Sequence, residues 1–126
     1  INEYMEVHEY PIIRPNGLYI YDNQSYIGTF QQNENGQIFK LNLNDENAKI
    51  ESYLTNIGYC DGIYIDDDII AISNFNNELK LIEKKSNKII SKAKSEKYNF
   101  GDFYYSDSLI VSPSMKSSEI LFLEFD

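Results

Sequence analysis

Four aspartates form the densest acidic cluster in the chain: Asp61, then the triplet Asp66-Asp67-Asp68. Carboxylates this close together suit two chemistries, oxygen ligation of a hard cation or capture of a basic partner. The spacing lacks the alternating oxygen ligands and intervening glycine of an EF-hand loop. A short acidic run between strands is also what a turn requires, because Asp accepts hydrogen bonds from its own backbone. Asp22 and Asp107 hold matching places in two similar stretches, which favours the turn.

His8 is the only histidine and Cys60 the only cysteine. One histidine cannot build a zinc site without several carboxylates or the thiol. A Cys60–His8 nucleophile pair needs only spatial proximity. Against it, Cys60 sits in Gly-Tyr-Cys-Asp just before an apolar strand, where a small packing residue belongs. The chain carries no glycine-rich phosphate loop, Walker pattern or Gly-x-Ser-x-Gly. Its 20 acids single out no carboxylate pair for glycoside chemistry. The expectation is therefore no catalytic residue, no metal ligand and no cofactor. Tyrosines beside acid fit a protein-binding face instead. The candidate partner-binding residues are Asp61, Asp66, Asp67, Asp68, Tyr26, Tyr59 and Tyr105. The same tyrosines would equally suit a core that has no Trp.

The elements that must position these residues read as strands. At 126 residues the chain is expected to form one domain, able to bury a core without disulfides or metals. It holds 11 Tyr and 7 Phe, and many Ile, which fit a pleated, half-buried surface. A single cysteine excludes an internal disulfide and leans towards a reducing, cytoplasmic compartment. No apolar run approaches the ~20 residues of a membrane span. The net charge is −9, unevenly spread. Seven lysines between positions 80 and 97 face only Glu83 and Glu96, a net +5 that leaves −14 on the rest. Such a field repels nucleic acid and anionic membrane and speeds association with a basic protein.

Residues 3–10 (EYMEVHEY) suggest an N-terminal strand, and Pro15-Asn16-Gly17 a turn. Strands LYIY and SYIGTF follow, then Asn35-Gly36 as a hairpin turn pair. GQIFKLNL and AKIESYL complete a first set. Between Gly62 and Lys92 four short strands succeed one another: GIYI, DIIAIS, ELKLIE and KIIS. Aligning Gly17 with Gly62 pairs Tyr19 with Tyr64, Ile20 with Ile65, Asp22 with Asp67, Ile27 with Ile72 and Phe30 with Phe75. A shorter second loop sets Lys40 against Lys80. A third copy, offset by 40, pairs Tyr64 with Tyr104 and Asp67 with Asp107. The units run roughly 17–61, 62–101 and 102–126, with strand 3–10 besides.

A strand-only period of about 40–45 residues is the length of one propeller blade. The order Gly, apolar, Tyr, apolar, acidic turn, strand, Asn-rich turn, strand, Ser-Asn-Lys, strand resembles blades of the WD40, NHL and surface-layer-type β-propellers. LIEKKSNKIISK is similar to the outer hairpin of such a blade, although no Trp-Asp dipeptide or Gly-His pair is present. The resemblance implies an all-β fold of about twelve short antiparallel strands in three four-stranded blades. These would form an open arc, or part of a ring that a second copy completes as a homodimer. The alternative is an α+β fold with a helix across 78–97, because Ile82, Ile89, Ile90 and Ala93 share one helical face. Two functions fit best: an acidic protein-binding module, such as an immunity protein that neutralises a basic toxin, or a fragment of a larger ligand-binding propeller.

Overall fold

Short polar breaks fold the chain into a succession of hairpins. The structure, a computed structural model, describes residues 9–125. Eleven strands form three open antiparallel sheets. The first joins β1 (Pro15–Tyr21), β2 (Gln24–Thr29), β3 (Ile38–Asn42) and β4 (Glu51–Leu54) in sequence order. The second joins β5 (Cys60–Ile65), β6 (Ile69–Asn74), β7 (Glu78–Glu83) and β8 (Lys88–Lys94) in the same way. The third has only β9 (Tyr104–Ser106), β10 (Leu109–Pro113) and β11 (Ile120–Glu124). One 3-10 turn at Asn33–Asn35 is the only helical element among the described residues. The suggested strand 3–10 lies outside them, except for Glu9 and Tyr10, which are not in a strand.

The turns follow from residues that tolerate positive φ. Asp22 and Asn23 between β1 and β2, and Asp107 and Ser108 between β9 and β10, all have φ of 48–65°. Two such residues in a row give a hairpin turn whose twist matches the strands. Asn77 and Asn87 supply single left-handed residues for the β6–β7 and β7–β8 turns.

Three expectations need correction. Residues 78–97 form no helix; they fold back as β7 and β8, with Ile82 opposite Ile89 and Leu79 opposite Ala93. The apparent helical face is two strands of a hairpin seen as one line. Asn87 sets the break, at φ 56° with its N–H donated to the Glu83 carbonyl. Pro15-Asn16-Gly17 is not a turn but the start of β1, which bulges between Pro15 and Leu18. Asn35-Gly36 is not a hairpin pair either. A Cβ at Gly36 would overlap the backbone of Gly58, so this glycine serves a close chain crossing.

The pairing also shifts one alignment by a residue. Tyr26 faces Lys40 in the first sheet, whereas Ala71, at the matching position, faces Leu81 in the second. Lys40 therefore matches Leu81, not Lys80, and every side chain of that strand changes face.

The second sheet is the middle layer. Its Ile63, Ile65, Ile70, Ile72 and Ile82 pack with Tyr19, Tyr21, Tyr26, Ile38 and Tyr53 of the first sheet. Its other face, with Tyr64, Ala71, Leu79 and Leu81, packs on Phe103, Tyr105, Ile110, Leu121 and Leu123 of the third. Ser73 ties these two sheets together, accepting from Gly62 N and donating to the Gly101 carbonyl. The strands β1 and β5 approach closely, and a Cβ at Gly17 would overlap the Asp61 carbonyl.

Candidate functional site

The first strands of the three sheets each present one tyrosine near the same edge of the molecule. Tyr19 of β1 packs on Tyr64 of β5, ring centres 5.4 Å apart, and Tyr64 packs on Tyr105 of β9 at 4.7 Å. Tyr104 stands beside them, largely exposed. With Asp66, Asp68, Ile69 and the turn Ser106-Asp107-Ser108, these rings line a groove of about 540 Å³. It draws on all three sheets. Strand β9 presents Tyr104 and Tyr105 to opposite faces, so one borders the open side while the other is a buried wall.

Hydrogen bonds fix the acidic rim. The Asp66 carboxylate accepts from the backbone N–H of Asp68 and of Ile69, both at 2.8 Å, which closes the β5–β6 turn. Its second oxygen accepts the Tyr64 hydroxyl at 3.1 Å. Asp67 accepts the Tyr21 hydroxyl at 2.6 Å. These bonds hold the tyrosines in their neutral form. Tyr21 is pushed up to about 12, chiefly because ionisation would forfeit its bond to Asp67. Tyr64 also rises to about 12, first through burial and then through Asp66. Lys84 lies at the margin, donating to the Asp66 carbonyl at 2.8 Å and resting over the Tyr21 ring. Among the described residues, no salt bridge neutralises Asp66, Asp67, Asp68 or Asp107.

The candidate residues do not converge on one place. Asp66, Asp67 and Asp68 stand at the hairpin edge, and Asp66 is above all a turn builder. Tyr105 is a buried wall of the groove. Tyr26 is buried against Tyr53, rings 5.3 Å apart, and offers a partner no surface. Tyr59 belongs to a separate aromatic cluster with Phe30 and Phe75, near the other end of β2 and β6. Asp61 lies about 16 Å back along β5 from Asp66, at ~3.3 Å per strand residue. Burial raises its carboxyl, opposed by a bond from Asn16 at 3.1 Å. The groove residues that went unselected are Tyr19, Tyr64, Tyr104 and Asp107. Their recurrence in register, Tyr19 with Tyr64 and Tyr104 and the turn residue Asp67 with Asp107, is the signal the sequence offers for them.

Cys60 is fully buried, and burial pushes its thiol up to about 12, so the nucleophilic thiolate is suppressed. His8 lies outside the described residues. Among the described residues, no group of His, Cys, Asp or Glu is arranged to hold a metal ion. What the groove offers is aromatic faces, hydroxyls and carboxylates, a set that binds cationic side chains.

No protein-family model matches the chain, and no curated protein matches it by sequence. Solved structures do. The computationally designed Ika4 protein matches over 98% of this chain and 96% of its own, with a TM-score of 0.60 and 7% identity. The designed Ika8 protein, at TM-score 0.56 and 7% identity, covers 88% of this chain and 46% of its own. AztD from Citrobacter koseri, in its apo form, covers 88% and 44% with a TM-score of 0.53 and 7% identity. The chain thus spans less than half the length of the last two. At this identity the likeness speaks for the all-β fold alone.

Proposed function

We propose that this chain is a non-enzymatic, acidic protein-binding module whose three sheets are propeller-like blades, an open arc or part of a ring. The groove between Tyr19, Tyr64 and Tyr104 receives a basic segment of the partner. The observation that carries this reading is the convergence in one groove of aromatic faces and of carboxylates that no salt bridge among the described residues neutralises. An arginine or lysine side chain entering there would lie over a ring and meet Asp66, Asp68 or Asp107 at its tip. The net −9 of the chain adds long-range attraction for such a partner. One form that suits this size and charge is an inhibitor or immunity protein that blocks a basic toxin or nuclease.

The test is binding of a fluorescent arginine- and lysine-rich peptide, measured against ionic strength. Affinity is expected to fall at least tenfold between ~0.05 and ~0.5 M salt, as screening shortens the reach of the charges. Asp66 shapes a turn, so the site itself is probed with Asp107→Asn and Tyr104→Ala, each expected to weaken binding severalfold. Binding indifferent to salt and to both substitutions would overturn the reading. A second reading, a piece of a larger ligand-binding propeller, is favoured by the greater length of two of the similar structures. It predicts that a longer polypeptide containing this stretch binds a ligand that the 126-residue chain does not.

A further inference from the structure

The two outer sheet faces carry residues that the inner interfaces of the same chain bury. In the middle sheet Ile63 and Ile65 face the first sheet and are 5% and 1% exposed. Their register matches in the first sheet are Leu18 and Ile20, since Leu18 pairs with Ile27 as Ile63 pairs with Ile72. Leu18 and Ile20 are 61% and 58% exposed. On the opposite face of the middle sheet, Leu79 and Leu81 are 0% and 3% exposed beneath the third sheet. Their matches in the third sheet are Ile120 and Phe122, which oppose Pro113 and Val111 as Leu79 and Leu81 oppose Ser73 and Ala71. Ile120 and Phe122 are 65% and 69% exposed. The outer face of the first sheet is thus the receiving half, and that of the third sheet the inserting half, of a contact made twice within the chain.

We propose that a second copy of this chain supplies the missing neighbour, the third sheet of each copy stacking on the first sheet of the other. Two copies related by a two-fold axis satisfy both faces at once, giving a closed ring of six sheets. A face-to-same-face dimer would bury only one kind of surface and leave the other wet. The junction is not a replica of the inner ones. Asp102 stands where the earlier sheets have Gly17 and Gly62, so the close backbone approach those glycines allow is not repeated there. The inference stands apart from the basic partner, because the groove is complete within one chain.

Sedimentation equilibrium of the full chain tests it. The expected mass is twice 14.7 kDa. Leu18→Glu and Phe122→Glu, each at an exposed position, are expected to halve that mass with an unchanged circular dichroism spectrum. Ile20→Glu and Ile120→Glu serve as second variants for the two faces. Mixing Leu18→Glu with Phe122→Glu is the decisive step. One junction in the mixed pair joins two unaltered faces, so the mixture is expected to return to dimer mass. A monomeric wild type, a dimer that survives either glutamate, or a mixture that stays monomeric would each overturn the proposal.

Discussion

Ile65 and Ile20 occupy the same register position in neighbouring sheets, each opposite the second residue of the following strand. One is sealed beneath another sheet and the other faces water. The middle sheet and its flanking sheets therefore differ less in sequence pattern than in surroundings. An alternating strand specifies which side chains share a face, and the neighbouring layer decides whether that face becomes core. In the middle sheet both faces are apolar and both are covered, in the manner of a sandwich interior. In the flanking sheets one apolar face of each remains available.

Substitutions at matched positions are the direct way to break this comparison. Ile65→Ala is expected to cost about 3 kcal/mol in denaturant unfolding, through lost burial and the cavity left behind. Ile20→Ala, measured at dilution in the monomer, should stay within about 0.5 kcal/mol. Equal losses at the two positions would mean that the outer face is not free. Gly17→Ala is expected to cost about 2 kcal/mol, because its methyl group meets the Asp61 backbone and not a side chain that can turn away. Asp102→Gly, at the matching place before β9, loses only the bond its carboxylate accepts from Phe103 N–H and should cost about 1 kcal/mol. Ser73→Ala removes the tie between the middle and third sheets and leaves Gly62 N–H and the Gly101 carbonyl short of a partner, at about 1–2 kcal/mol.

Alkaline titration gives the smallest effect near neutral conditions. The folded state holds the Cys60 proton up to about 12, whereas the unfolded thiol releases it from about 9. The folded pKa is the higher one, so stability is complete below 9 and is lost as pH rises towards 12. At pH 10 the loss should be about 1 kcal/mol, and Cys60→Ala should abolish that part of it. Tyr64, nearer to solvent, adds a shallower loss from 10 upwards. Iodoacetamide labelling of Cys60 at pH 8 should proceed only as fast as the chain opens. Rapid labelling of the folded protein would contradict the burial described for it.

Turns and strand count were legible because single residues carry them. Asp22, Asn77, Asn87 and Asp107 each sit where a left-handed backbone is needed, and their types announce it. The helix alternative over 78–97 arose because two paired strands can mimic a helical spacing when a four-residue turn separates them. The match of Lys40 was misplaced by one residue because the stretch between β2 and β3 has no periodicity to count through. Asn35-Gly36 misled for a related reason, since a glycine required by a distant chain looks locally like one required by a turn. Of the groove, the recurrent tyrosines were visible in the sequence. That they converge with Asp66 and Asp107 depends on how the first strands of three sheets are set side by side, which no local pattern encodes.

Strand β8 closes the middle sheet with an open edge, and Lys88, Lys92 and Lys94 lie along it next to exposed Ile89 and Ile90. Glu78 anchors one end, 2.9 Å from Lys92 and 3.3 Å from Lys80. Two such edges meeting in solution would bring like charges face to face before any backbone bond could form. Lysines placed this way are a means of guarding an apolar edge strand against pairing with another copy. Lysine acetylation would strip that guard while leaving the strand intact, and rising thioflavin fluorescence on storage is the sign to look for.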